Sequence, residues 1–173
     1  LFLPDYDISP ATLQRPDSSL PVPAESPNAF VVGAVRGTLA DAGAYSLPNP
    51  GRDVVEPFSS RGPSLKGVLK PNLMGPDGCR TSLAAAPVME GGEWIAQQAY
   101  GTSFAAAHVA GAAALLYSEN NTRTRNELIT ALYRLAVAVP PASAKPQPLP
   151  NNTYGYGRVS LRMGTDVSNP QIS

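Results

Sequence analysis

Proline leaves this chain few places for regular structure. Six prolines, Pro4, Pro10, Pro16, Pro21, Pro23 and Pro27, fall between Leu1 and Pro27, and five more, Pro140, Pro141, Pro146, Pro148 and Pro150, crowd the stretch from Ala138 to Pro150. Each removes a backbone donor and pushes the preceding residue out of the helical region. Residues 1–27 therefore read as an extended arm or linker, the stretch ending at Pro150 as a loop, and 28–173 as the domain proper. A start at Leu1 without Met, straight into the proline-rich arm, fits a processed or excised part of a longer polypeptide.

Between these interruptions, Ala29-Phe30-Val31-Val32-Gly33-Ala34-Val35 is a short apolar run rich in β-formers, the pattern of a strand covered on both faces and hence of a parallel sheet. A Gly- and Pro-rich loop follows from Gly37 to Pro57, and short extended pieces are expected around Phe58 to Ser60, Val68 to Met74 and Thr81 to Ala86. Ser103 to Leu116 is Ala-rich and apolar on every side, which predicts a helix enclosed in a core. Asn120 and Asn121 end it. Thr124-Arg125-Asn126-Glu127 then offers a capping box, and Leu128, Ala131, Leu132 and Leu135 recur at helical spacing. The turn-rich Asn151 to Gly157 leads to a short element at Arg158 to Met163. Strand, loops, enclosed helix and covering helix in this order predict an α/β layered domain.

Charge and cysteine content narrow the function classes. Thirteen Lys+Arg balance thirteen Asp+Glu, and 15% charged residues is well under the usual quarter, so no basic footprint for nucleic acid or an anionic membrane exists. Cys79 and His108 are the only residues of their kinds, which excludes an intrachain disulfide and a Cys/His zinc cluster. The longest apolar run, Val109 to Leu116, is far short of the ~18 residues of a membrane-spanning helix.

The stretch that bears on chemistry is Tyr100-Gly101-Thr102-Ser103-Phe104-Ala105-Ala106-Ala107-His108-Val109-Ala110-Gly111. It places two small hydroxyl residues at the start of a helix, where free N–H groups and the positive dipole end stabilise negative charge developing beside Ser103. Gly101 allows a substrate backbone to approach closely. The plainer alternative is that Thr102 or Ser103 merely caps the helix.

Gly101 to Leu116 resembles the nucleophile block of the subtilisin-like serine proteases, the subtilases. Further landmarks follow the family order: Phe30 to Val35 is similar to its strand ending in Val-Gly-Ala, and Phe58-Ser59-Ser60-Arg61-Gly62-Pro63 to its Phe-Ser-Ser-x-Gly-Pro turn. Lys70-Pro71-Asn72-Leu73-Met74-Gly75-Pro76 resembles Lys-Pro-Asp-Leu-x-Ala-Pro, and Gly155-Tyr156-Gly157-Arg158-Val159 the closing Gly-x-Gly-x-Val. The resemblance implies a three-layer α/β/α fold around a mainly parallel sheet, incomplete in this chain, and serine endopeptidase activity in the parent protein. Ser103 is then the nucleophile and, through its backbone N–H, an oxyanion donor, with Gly101 and Thr102 beside the substrate.

In the family the triad Asp and His and an oxyanion Asn precede every block matched here, and this sequence shows none of them. His108 is no substitute: five residues along a helix turn it about 500°, some 140° around the axis from Ser103, so it reads as a structural core histidine. The chain alone is therefore expected to be inactive, to expose apolar strand edges, and to need the N-terminal half of the same catalytic domain as well as a polypeptide substrate. The reaction calls for no cofactor; structural calcium is compatible with the family, although Asp5 and Asp7 read as solvated acids of the arm. Secretion or another extracytoplasmic location is the family expectation. Ala107 stands where the family usually has Pro, and Gly75-Pro76-Asp77-Gly78 departs from Ala-Pro-Gly, which signals altered loop geometry near the substrate side. These departures support the alternative of a non-catalytic subtilase-like scaffold or binding protein. Cys79 beside Arg80 reads as a structural thiol, and Trp94 as a packing residue that could also line a surface near Ser103.

Overall fold

The computed structural model describes residues 17–37, 54–81, 88–90, 93–95, 97–138 and 148–161, with side chains omitted for 79–99. Asp5, Asp7, most of the loop after Gly37, residues 82–86, the loop prolines 140, 141 and 146, Met163, and the side chains of Cys79, Arg80 and Trp94 thus lie outside the described residues.

The elements in chain order are β1 (Val32–Arg36), β2 (Leu73–Asp77), β3 (Cys79–Thr81), β4 (Val88–Glu90), β5 (Glu93–Ile95), β6 (Gln97–Ala99), α1 (Thr102–Glu119), α2 (Arg125–Arg134), β7 (Ala136–Val137) and β8 (Arg158–Val159). The main sheet has the order β1-β2-β8-β7, and β3 pairs with β6 and β4 with β5 in two antiparallel ribbons. β1 and β2 run parallel with Val32 opposite Leu73 and Arg36 opposite Asp77, β8 runs parallel to β2, and β7 is antiparallel to β8. The fold is α/β with a mixed sheet and few helices, so the expected parallel character holds for three of its four strands.

Alternation along β2 sends its side chains to two cores. Leu73 joins Val109, Ala112 and Leu116 of α1, Leu132 of α2, and Ala136 and Val159. Met74, one residue on, meets Val35, Val55 and Tyr154 on the other face. Helices cover the first face; on the second, the described residues supply coil. The segment around Phe58 to Ser60 is not a strand. Ser59 instead turns its hydroxyl to accept the Ala34 N–H at 3.0 Å, while Arg36 N–H donates to Val54 O and Glu56 N–H to Ala34 O. β7 forms one edge of the sheet, and this segment occupies the outer edge of β1 at Ala34 and Arg36. The Arg36–Glu56 ion pair at 3.1 Å reinforces it, and Glu56 raises the Arg36 pKa by hydrogen bond and by charge.

α2 begins as its sequence predicts. The Thr124 side chain accepts the Glu127 N–H and Glu127 returns a bond from the Thr124 N–H at 2.7 Å, a complete capping box that pulls the Glu127 pKa down. α1 departs from expectation. Its buried residues, Ala105, Val109, Ala112 and Leu116, form one stripe at helical spacing, whereas Ala106, Ala107, Ala110, Ala114, Leu115 and Tyr117 are exposed. An apolar-all-round helix is here covered on a single side.

Lys70, 1% exposed, lies beneath this assembly. Its ammonium donates to the Ala29 carbonyl and to Asn72 Oδ1 at 3.1 Å, with no carboxylate among its described partners. Asn72 Oδ1 also accepts the Val31 N–H at 2.8 Å, and its amide donates to the Tyr133 hydroxyl at 2.9 Å. Tyr133 stacks between Phe30 and Tyr156. Burial, and then repulsion from Arg125, hold the Lys70 pKa below its ordinary 10.5. The folded chain thus disfavours the charged ammonium, so stability rises with pH between that lowered value and 10.5. Asn72→Asp supplies the missing countercharge while Tyr133 turns donor. It is expected to add about 1–3 kcal/mol at neutral pH, since an unpaired buried charge costs several kcal/mol, and to flatten the alkaline rise. Urea melts at neutral and alkaline pH read both effects; unchanged or lower stability at neutral pH would contradict this account.

Candidate active site

β6 leads through Tyr100 into α1, and the turn between them is made at Gly101, whose φ of 144° and ψ of 148° lie where a side chain is strained. Gly101 is the N-cap, and no side chain caps the helix. The capping alternative for Thr102 and Ser103 is therefore not realised: Thr102 is the first helical residue, half-buried, and Ser103 the second, exposed. The Ser103 hydroxyl makes no hydrogen bond to any described residue.

The helix closes its first bonds from Phe104 N–H to Gly101 O at 3.0 Å and from Ala105 N–H to the same oxygen at 3.4 Å. The N–H groups of Thr102 and Ser103 precede these bonds and have no partner within the helix. No acidic residue occupies the first turn, so no carboxylate of the helix itself neutralises its positive end. A hydroxyl without a hydrogen bond among the described residues thus sits beside N–H donors that have no partner within the helix, an arrangement that can stabilise an oxyanion formed next to Ser103.

Two residues of β2 sit under this turn. Gly75 is at its closest approach: a Cβ there would overlap the Ala105 carbonyl. Asp77, wholly buried, accepts the Gly101 N–H through Oδ1 at 2.9 Å, and its Oδ2 is buried without a hydrogen-bond partner among the described residues. Sequence reasoning placed Asp77 only within a loop of altered geometry. The signal was the Gly75 to Gly78 departure, but its link to Gly101, 24 residues on, is tertiary.

The structure brings Gly101, Thr102 and Ser103 together with Asp77 and leaves His108 apart. His108 is not a core residue: it is exposed on α1, with Nδ1 2.8 Å from the Phe104 carbonyl of the preceding turn. No histidine-carboxylate pair accompanies Ser103 among the described residues. These also contain no cluster of three or more His, Cys, Asp or Glu able to hold a metal ion, and no helix long and apolar enough to cross a membrane.

Comparison with known proteins supports the resemblance at the level of the family. The model of the Subtilase family, Peptidase S8, matches residues 13–157. Among solved structures, the CspB protease of Clostridium perfringens superposes with a TM-score of 0.55 at 24% sequence identity, over 84% of this chain and 28% of that one. At that identity the likeness concerns the fold, and the chain spans little more than a quarter of the CspB protease's length.

Proposed function

Because this chain belongs to the subtilase family, we propose that it is the Ser103-bearing part of a serine endopeptidase whose remaining catalytic groups come from a preceding portion of the same domain. The observation that carries this reading is the exposed Ser103 hydroxyl at the start of α1, released from capping by Gly101 and flanked by its own N–H, which has no partner among the described residues.

In the reaction so assigned, Ser103 Oγ adds to a peptide carbonyl while its proton passes to a histidine from the other portion. The carbonyl oxygen, now an oxyanion, accepts the Ser103 N–H at the helix end. Collapse expels the amine, which takes the proton from that histidine, and leaves an acyl ester on Ser103; water then releases the acid by the same steps. Gly101, lacking a side chain, and Thr102 border the substrate strand. The same reading extends the mixed sheet to a three-layer α/β/α domain in the whole protein, and places that protein outside the cytoplasm.

A fluorophosphonate probe tests it directly. In the intact protein it is expected to label Ser103, as located by peptide mass mapping. Labelling at another serine would refute the assignment of Ser103, and none in well-folded protein would favour the scaffold reading suggested by Ala107 and the Gly75 to Gly78 segment.

A further inference from the structure

The geometry points to Asp77 as a positioning residue for the Ser103 nucleophile, one that holds the entry to α1 by gripping the Gly101 amide; this rests on the reading of Ser103 given above.

The main-chain part of Asp77 is fixed by the sheet. It is the last residue of β2, opposite Arg36 of β1, and its carbonyl accepts the Gly37 N–H at 2.8 Å. The side chain is wholly buried and short, so Oδ1 is a stiff arm reaching from the sheet to Gly101 N at 2.9 Å.

A second contact sets the register. Gly75 shares a face of β2 with Asp77 and lies directly against Ala105. Two residues of strand advance about 6.6–6.8 Å, and the four helical residues from Ala105 back to Gly101 about 6 Å. Strand and first turn therefore run antiparallel and meet at two matched points, Gly75 under Ala105 and Asp77 under Gly101. Gly75 permits the approach, and Asp77 fixes the end that carries the nucleophile.

The Gly101 amide needs this grip. It lies before the helix, at a φ of 144° open in practice only to glycine. Without an acceptor, the Tyr100–Gly101 peptide plane loses its anchor to the sheet, and rotation there shifts the turn that sets the start of α1 and with it Ser103, two residues after Gly101. Asp77 Oδ2, buried and unpartnered among the described residues, marks the cost of the arrangement, since buried carboxylate oxygens are ordinarily satisfied. A misplacement of about 1 Å at a reacting group costs around 10²-fold in rate.

The experiment compares Asp77→Ala and Asp77→Asn in the intact protein. Asp77→Ala removes the acceptor; Asp77→Asn keeps an oxygen at the Oδ1 position without the charge. With Asp77→Ala, kcat on a peptide substrate and the rate of Ser103 phosphonylation are expected to fall roughly 10- to 100-fold, with KM within about threefold of wild type. Asp77→Asn should recover most of the loss. Hydrogen exchange at the Gly101 amide should quicken by at least about tenfold in Asp77→Ala and little in Asp77→Asn.

Unchanged kcat in Asp77→Ala, or an Asp77→Asn variant as slow as Asp77→Ala, would overturn the inference. So would a wild-type Gly101 amide that exchanges as fast as an unbonded loop amide, a measurement that stands even if Asp77→Ala fails to fold. If wild-type Ser103 is labelled but indifferent to Asp77, this inference alone fails. If wild-type Ser103 is never labelled, the nucleophile reading fails and takes the inference with it.

Discussion

Replacing Ser103 with Ala in the intact protein removes peptide hydrolysis, with kcat expected to drop by roughly 10⁶-fold, the size of the loss when subtilisin, a member of this family, is deprived of its nucleophile. The fold should not notice. Gly101, not Ser103, is the N-cap, the first helical bonds run to the Gly101 carbonyl, and the Ser103 hydroxyl bonds to no described residue. Ala is also the best helix former, so stability should stay within about 0.5 kcal/mol of wild type. The same cut at Thr124 would destroy a working capping box; at Ser103 there is none to destroy. Paired thermal melts and hydrolysis of a fluorogenic peptide separate the two effects. A variant that stays active, or that loses activity only in step with lost folded protein, contradicts the assignment.

What could be read from the sequence was whatever is encoded locally. The capping box of α2 needs only Thr124 and Glu127, three residues apart, and it formed as expected. The Gly-Thr-Ser block marked the start of α1, because small residues before an Ala-rich run have few other uses. Reading failed where distant parts of the chain decide. Phe58 to Ser60 has strand-like composition, but the Ser59 hydroxyl satisfies Ala34 in place of a ladder. Asp77 could not be tied to Gly101 by spacing, since the bond exists only after β2 is laid beneath α1. The enclosure of α1 was read from an all-apolar pattern, and that pattern records the surroundings for which the helix is built. In the described residues it has a partner on one face. The bare face is thus itself informative: Ala106, Ala110 and Ala114 lie exposed on one stripe with Tyr117, 46% exposed, where a free surface would favour charge.

That face leads to the other large effect: the 173-residue chain alone should show no peptidase activity above background and should gain it on mixing with the preceding portion of its catalytic domain. Ser103 needs a base within hydrogen-bond reach. The sequence has a single histidine, and His108 sits more than a turn along α1 with its Nδ1 held at the Phe104 carbonyl. On the proposed function the base arrives with another segment, and the exposed stripe of α1 is where such a segment would seat. Its small side chains let a neighbouring backbone come close. An apolar groove of about 310 Å³, lined in part by Phe30, Ala106, Ala110 and Leu128, continues it between α1 and α2. Tyr117→Asp, on the same stripe as Ala106 and Ala110, puts a charge into that contact without touching Ser103 or Gly101. It should weaken association by at least about tenfold, since burying an unpaired carboxylate costs several kcal/mol, and the lost activity should return at high concentrations of the other half. Casein hydrolysis measured with the chain alone, with each half, and across a titration of one half into the other reads each of these. Fluorophosphonate-sensitive cleavage by the chain alone would refute the claim of a missing base, and full complementation by Tyr117→Asp at low concentration would move the docking surface away from this stripe of α1.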